Sequence, residues 1–444
     1  SLRRRQRQMC IRDSPGGVYV HGDPPASGLG LVKPLAEYAS SLGVKFIEGV
    51  MAIDLLVDDR AYGAVFYDIN SGEVRAISAK AVVLATGGYS QLFLRNDNPI
   101  RVTGDGCAMA LKAGANLIDM EFTQFFPLGL AEENMPTWLF PVVFGRLVNS
   151  QGEDILKKYK INVPLPIAAV QFRDLLSRAM WIEISEGRGV DEALIIEVAE
   201  EIEDNLKVLS RMAQSLIRIL KITKCRVRVA PLAHFTMGGI DISINGETKV
   251  PGLYACGEVT GGVHGANRLG GNALTEAIVF GARAGKSAAE WAKNCEGKSA
   301  DPTVIKKYEA QISSLKNGSI NPKELKFKLK SAMWRKCGVI RNKADLNELI
   351  KFIDEVKGEA REFRASNRIE VMESLEFNNM LIIAEAVALS ALLREESRGA
   401  HCRKDFPKQR DDIWLRRIAV KLENDKIVTE FKPVELKYLA LKLT

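Results

Sequence analysis

Three positively charged or ionisable side chains stand out by type and setting. His234 lies in AHFTMGGI and Arg268 in HGANRLGG, and both can grip a carboxylate. Arginine presents a planar fork of donors that matches a carboxylate bidentately and stays charged at any ordinary pH. His234 is one of only four histidines and falls at a strand-to-glycine boundary. A hydrogen-bonded structural histidine is the competing reading. Arg173 and Asp174 open a helical stretch in QFRDLLSRAM, where a capping aspartate and an exposed arginine account for the pair on spacing alone.

Glycine-rich turns accompany these groups. In AVVLATGGYS, the run Ala79–Ala85 reads as a parallel strand buried on both faces. Thr86-Gly87-Gly88 then lets backbone approach a ligand, although an ordinary strand-to-helix turn reads the same way. Asp105, in TGDG, opens a small-residue helix within Thr103–Ala115. In LYACGEVTGGVHGANRLGGNALTEAIVFGARAG, Glu258 follows a short strand as an acceptor for sugar or ribityl hydroxyls. Asn272–Thr275 then opens an apolar helix whose free N–H groups and positive dipole end suit an electron-rich ligand edge.

These residues need a scaffold of several domains, as expected for 444 residues. The hydrophobic and charged fractions, 46% and 26%, are those of an ordinary globular chain. No unbroken apolar run approaches the roughly 20 residues of a membrane span, and Ala384–Leu393 reads as buried helix. The seven cysteines are scattered without a close pair, which gives neither a zinc nor an iron–sulfur ligand set and favours a reducing compartment. Ser1–Ser14 carries five arginines against one aspartate and resembles translated adaptor sequence. Without it the formal charge of +7 falls by 4, to +3, and no nucleic-acid partner is expected. The patterning predicts a helix over 31–42, a strand over 44–47, a hairpin or meander over 51–68, and an acidic helix over 192–209. From about Asp301 the text is charged and helix-periodic, with Leu349, Phe352 and Val356 on one face.

From Gly28 to about Leu415 the chain resembles the flavoprotein subunits of succinate dehydrogenase and fumarate reductase, together with the L-aspartate oxidases. The resemblance rests on AVVLATGG, TGDG, HFTMGGI, GLYACGEVTGGVHGANRLGGNAL and ESRGAHCRKDFP. It implies an α/β fold: a Rossmann-like FAD-binding domain lacking its first βαβ unit, an inserted α+β capping domain and a helical C-terminal domain. The implied boundaries are 15–118 and 231–296 for the FAD domain, 119–230 for the cap and 297–444 for the C-terminal domain. FAD would contact Thr86, Gly87, Gly88, Asp105, Glu258, Ala273 and Leu274. His234, Arg268 and Thr137 would bind substrate carboxylates, and Arg173 would protonate the substrate carbon opposite the one that takes a hydride from flavin. An arginine can do this only within a proton relay, because its ordinary pKa lies above about 12.

This sequence departs from the family in three places. The family's QFHP is Gln124-Phe125-Phe126-Pro127, and its Thr-Glu pair is Thr137-Trp138, so a larger or monoanionic enoate fits alongside a fumarate-like dicarboxylate. No GxGxxG is present, which reads as a fragment without the pyrophosphate-binding half of the FAD site. The alternatives are an L-aspartate oxidase, whose turn more often reads Ala-Ser-Asn-Ser where Gly270-Gly271-Asn272-Ala273 stands here, and a flavin-binding electron-transfer subunit without dicarboxylate chemistry. By resemblance, an iron–sulfur subunit is the expected electron partner, with a cytoplasmic location and peripheral membrane attachment through partner subunits.

Overall fold

The computed structural model describes residues 28–131, 145–198, 226–315 and 318–434, so the expectations for Thr137 and Trp138 lie outside the described residues. The described residues divide into two compact units. One contains 28–48, Arg95–Asp97, 125–131, 145–198 and 226–233; the other contains Gly49–Leu94, Asn98–Gln124, 234–315 and 318–434.

The first unit is built on a four-stranded sheet in the order Thr123–Leu130, Arg226–Thr236, Leu194–Val198, Gly145–Val148. Helices Leu165–Gln171 and Arg173–Ser185 supply the apolar side chains that close its core, where Leu176 and Met180 pack with Leu128, Leu147, Ile196 and Val229. Leu194–Val198 corrects the helix expected over 192–209. Its LIIEV run pairs antiparallel with Val148–Gly145 on one side and with Arg226–Val229 on the other. Ladder pairing to two neighbours, with Leu194, Ile195 and Ile196 all buried, outweighs the helix propensity of the surrounding acids; positions 199–209 lie outside the described residues. Val44–Ile47 is not a strand either, since no described strand pairs with it and Phe46 and Ile47 are exposed. A strand exists only with a hydrogen-bonding partner. The preceding helix runs Gly28–Ser41.

The second unit begins with the antiparallel meander Val50–Val57, Ala61–Asp68, Val74–Ser78. Val82–Leu84 then pairs in parallel with Leu253–Ala255, in the register Val82↔Leu253 and Leu84↔Ala255. Burial here is uneven: Leu84 is buried, but Val83 is exposed rather than covered on both faces. Four helices follow the glycine-rich region, Pro302–Ser314, Pro322–Cys337, Lys343–Glu359 and Arg368–Leu393. Each starts at an Asp or Asn whose side chain accepts from a backbone N–H of the first turn. Arg368–Leu393 is long and apolar enough to cross a membrane by length and composition, yet most of it is buried inside this unit. Its C-terminal end is closed by Arg403, whose Nη1 donates to the carbonyls of Ala391, Leu392 and Arg394.

The C-terminal part is not helical throughout. Arg416–Glu423 and Lys426–Pro433 form a hairpin that joins Leu117–Ile118 and Gly239–Ile240 in one sheet. Its loop is Asn424-Asp425, with φ of 51° and 58°, the paired left-handed geometry that two-residue hairpins require.

Candidate active site

All the glycine-rich motifs fall in the second unit, and the parallel strand pair sets their geometry. Leu253–Ala255 delivers the short helical turn Gly257–Val259. There Glu258 Oε1 accepts from Thr236 N at 3.0 Å and lies 3.2 Å from Thr236 Oγ1. Burial pushes the Glu258 carboxyl above its ordinary range, against the Thr236 hydrogen bonds and the charges of His234 and Arg268. Glu258 is therefore within electrostatic reach of His234 and of Arg268. The strand Arg226–Thr236 places His234 half-buried near its end, with the His234 carbonyl accepting from Asn98 Nδ2 at 3.1 Å.

Thr86, Gly87 and Gly88 leave the companion strand Val82–Leu84 at the same level. A Cβ at Gly88 would run into Thr236 Oγ1 and stand 2.5 Å from Glu258 Oε1, so only glycine lets the chain pass here. Asp105 begins the helix Asp105–Lys112 and has both oxygens engaged, one by the Thr103 hydroxyl and one by Asn379 Nδ2 at 2.7 Å. In this arrangement it ties the TGDG loop to the Arg368–Leu393 helix. Burial is the main cause that raises its carboxyl.

The helix Asn272–Lys293 presents its N-terminus without a cap. Gly271 sits before it at φ 82°, no side chain caps it, and its first turn, with Ala273 and Leu274, holds no acid. Asn272 N–H meets the Leu269 carbonyl at 3.3 Å, and no side chain caps the turn that follows. A passage between close-packed glycines, a half-buried acid for hydroxyls and an uncapped helix end together fit a flavin nucleotide. Among the described residues, no group of three or more His, Cys, Asp or Glu is arranged to hold a metal ion.

Arg268 is buried, and two residues not anticipated from sequence hold it. Gln124 Oε1 accepts from Arg268 Nη2 at 3.0 Å, while Gln124 Nε2 donates to the Arg268 carbonyl at 2.9 Å and to Asn267 Oδ1 at 2.7 Å. The guanidinium also lies over the Phe235 ring, 4.4 Å from its centroid. The only sequence signal for either was adjacency: Phe235 follows His234, and Gln124 opens the departed QFFP segment.

Arg173 belongs to the first unit. It is buried at the start of Arg173–Ser185, and burial lowers its pKa against the opposing charge of Asp174. Phe126 packs against the apolar core of the same unit.

Residues 7–274 match the family described as FAD binding domain, and residues 326–444 match the family described as fumarate reductase flavoprotein C-term. The chain belongs to the succinate dehydrogenase and fumarate reductase flavoprotein family. Among its relatives, an uncharacterized FAD-dependent oxidoreductase of Methanocaldococcus jannaschii is 40% identical over 407 residues, 89% of this chain and 73% of the relative. A fumarate reductase (CoM/CoB) subunit of Methanothermobacter marburgensis is 36% identical, over 93% of this chain and 76% of the relative. A variant of E. coli quinol fumarate reductase shares the fold with a TM-score of 0.82 at 28% identity, covering 93% of this chain and 76% of that one. The flavoprotein is thus an FAD-dependent oxidoreductase with an α/β fold, and it spans about three quarters of the length of these relatives.

Proposed function

We propose that the flavoprotein interconverts a fumarate-like dicarboxylate, or a related enoate, and its saturated counterpart by hydride transfer to or from the flavin. The observation that carries this reading is the grip on Arg268. A buried guanidinium, braced by Gln124 and Phe235 and facing the same neighbourhood as His234 and Glu258, is a pre-formed carboxylate clamp. When bound, FAD supplies the two-electron chemistry. The chain's own residues bind and orient the substrate. Arg268 and His234 hold a carboxylate, and fixing it also draws electron density from the alkene.

Arg173 is the proposed proton donor, with Thr137 the proposed second carboxylate contact. Burial of Arg173 makes its charged form less favourable, the direction a proton donor needs, and Asp174 is the adjacent group able to restore the proton. Phe126 in place of a polar residue supports an enoate with an apolar end as the alternative to fumarate itself. Relatives are named as flavoprotein subunits, which supports a partner subunit; that it carries iron–sulfur centres is proposed from the resemblance.

Anaerobic oxidation of a reduced viologen with fumarate, and with monoanionic enoates in parallel, tests this reading. Arg268→Lys keeps the charge and loses the fork, and its expected cost is roughly 100-fold in kcat/KM. Arg173→Ala is expected to abolish reduction while leaving substrate binding. Oxygen-dependent oxidation of L-aspartate without fumarate reduction would replace this assignment with that of an L-aspartate oxidase.

A further inference from the structure

The loop that carries Arg268 leaves the Gly257–Val259 turn and runs through Thr260 and His264 before the helix Asn272–Lys293 begins. Early in that helix stands Glu276, a carboxylate that is almost wholly buried. An ionised acid in such a place is costly unless donors meet it. Two candidates do. Thr260 Oγ1 lies 3.1 Å from Glu276 Oε1, but it also lies 2.8 Å from the Gly257 carbonyl and has a single proton to give. His264 Nε2 stands 2.7 Å from Glu276 Oε2, with both side chains nearly out of water. The His264 link is therefore the steadier of the two, and it fixes the imidazole relative to a 22-residue helix.

What the imidazole does with that fixed position is visible on its other side. Its ring meets Phe235 edge to face, with centroids 5.2 Å apart and planes 77° apart. Phe235 in turn carries the Arg268 guanidinium on its face at 4.4 Å. The Phe235 ring is thus held between the imidazole and a cation, and the far end of the chain of contacts is a 22-residue helix. Gln124 braces Arg268 from a second direction, so the guanidinium's plane is set by two independent supports.

We propose that His264 and Glu276 are positioning residues for substrate binding: Glu276 orients His264, His264 fixes the Phe235 ring, and that ring sets the plane in which Arg268 receives a carboxylate. The inference rests on the dicarboxylate reading of Arg268. Neither His264 nor Glu276 need touch the substrate. Their contribution is to remove the rotamer freedom that Arg268 would otherwise lose on binding.

The test compares the unsubstituted protein with His264→Ala, His264→Phe and Phe235→Leu. Two readouts are used: steady-state fumarate reduction, and calorimetric binding of malonate, which carries two carboxylates and no alkene. Loss of a pre-set arginine weakens ground state and transition state alike. H264A and F235L should therefore raise the KM for fumarate and the Kd for malonate roughly tenfold, with kcat within about twofold and FAD content unchanged. H264F keeps a ring edge against Phe235 but drops the link to Glu276, and it should recover part of the affinity. If H264A does not fold, F235L decides the matter. Unchanged malonate affinity in H264A or F235L overturns the proposal, as does a loss of affinity that merely tracks loss of FAD. Should the unsubstituted protein neither bind malonate nor reduce fumarate, the dicarboxylate reading falls first and this inference falls with it. Tight binding by the unsubstituted protein and variants alike removes the inference alone.

Discussion

Glu183 of the first unit and three acids of the second, Asp105, Asp119 and Glu258, are handled in opposite ways. In the first, Glu183 is wholly out of water and fully met: Arg188 donates through Nε at 2.7 Å and Nη2 at 2.8 Å, Asn149 Nδ2 and Tyr159 Oη each donate at 2.7 Å, and Lys158 Nζ lies 3.2 Å away. These hydrogen bonds, Arg188's first, pull its carboxyl well below the ordinary range. In the second unit Asp105, Asp119 and Glu258 are driven upward, and burial is the first cause in each. Asp105 has neutral donors, Glu258 accepts from Thr236, and the ion-pair partner of Asp119, Arg417, stands 3.9 Å off. A scaffold acid is neutralised where it sits. These three acids near the glycine-rich turns have hydrogen-bond donors or a distant cation but no close ion pair, so burial sets the direction of their shift.

The sharpest way to break this contrast is Glu183→Ala. It strands Arg188, Lys158, Asn149 and Tyr159 around an emptied acceptor, and removing one partner of a buried pair costs about 3 kcal/mol. Urea unfolding should show the loss, with Glu183→Gln keeping part of the network. The sign of its pH dependence follows from the lowered carboxyl. The stabilisation is present above the ordinary glutamate range and is lost as pH falls through the folded value. A variant as stable as the parent would mean that the network is decorative.

A smaller effect tests the other side. Gly88→Ala forces a methyl into Thr236 Oγ1 and Glu258 Oε1, and overpacking of this kind costs about 1–3 kcal/mol. Flavin retention should fall with it. Gly281→Ala, in the Asn272–Lys293 helix with nothing within 4 Å of its added Cβ, is the control; it should leave stability equal or slightly higher. Equal behaviour of the two variants would remove the close-packed passage from the account of the flavin site.

The parts of this molecule that could be read in sequence are those whose signal is local. The Gly271-to-Asn272 helix start, the His234 and Arg268 motifs and the Asx-capped helices each announce themselves within a few residues. Gln124 and Phe235 do not, because their meaning lies in contacts with Arg268, which for Gln124 spans 144 residues of chain. Leu194–Val198 read as helix because its acidic surroundings were local and its strand partners were not. Val44–Ile47 fails for the complementary reason, apolar alternation with no described partner to pair with. The terminal hairpin was within reach: alternation over 416–423 and 426–433, with Asn424-Asp425 between, is a turn signal that helix periodicity upstream concealed.

The smallest effect is also the most discriminating, because its sign separates the two regimes. Asp119 sits at φ 60° and its carboxyl is raised, so between its ordinary value and its folded value the folded chain binds more protons than the unfolded one. Stability attributable to Asp119 therefore falls as pH rises through that window, the reverse of Glu183. Asp119→Asn removes the titration while keeping a side chain that tolerates the left-handed backbone. The variant should match the parent near pH 4 and exceed it near pH 8 by about 1 kcal/mol in urea unfolding. A gain confined to acid would place Asp119 with Glu183 as a compensated scaffold acid. No gain at any pH would show that Arg417 and Arg394, which pull the carboxyl downward, already offset the burial.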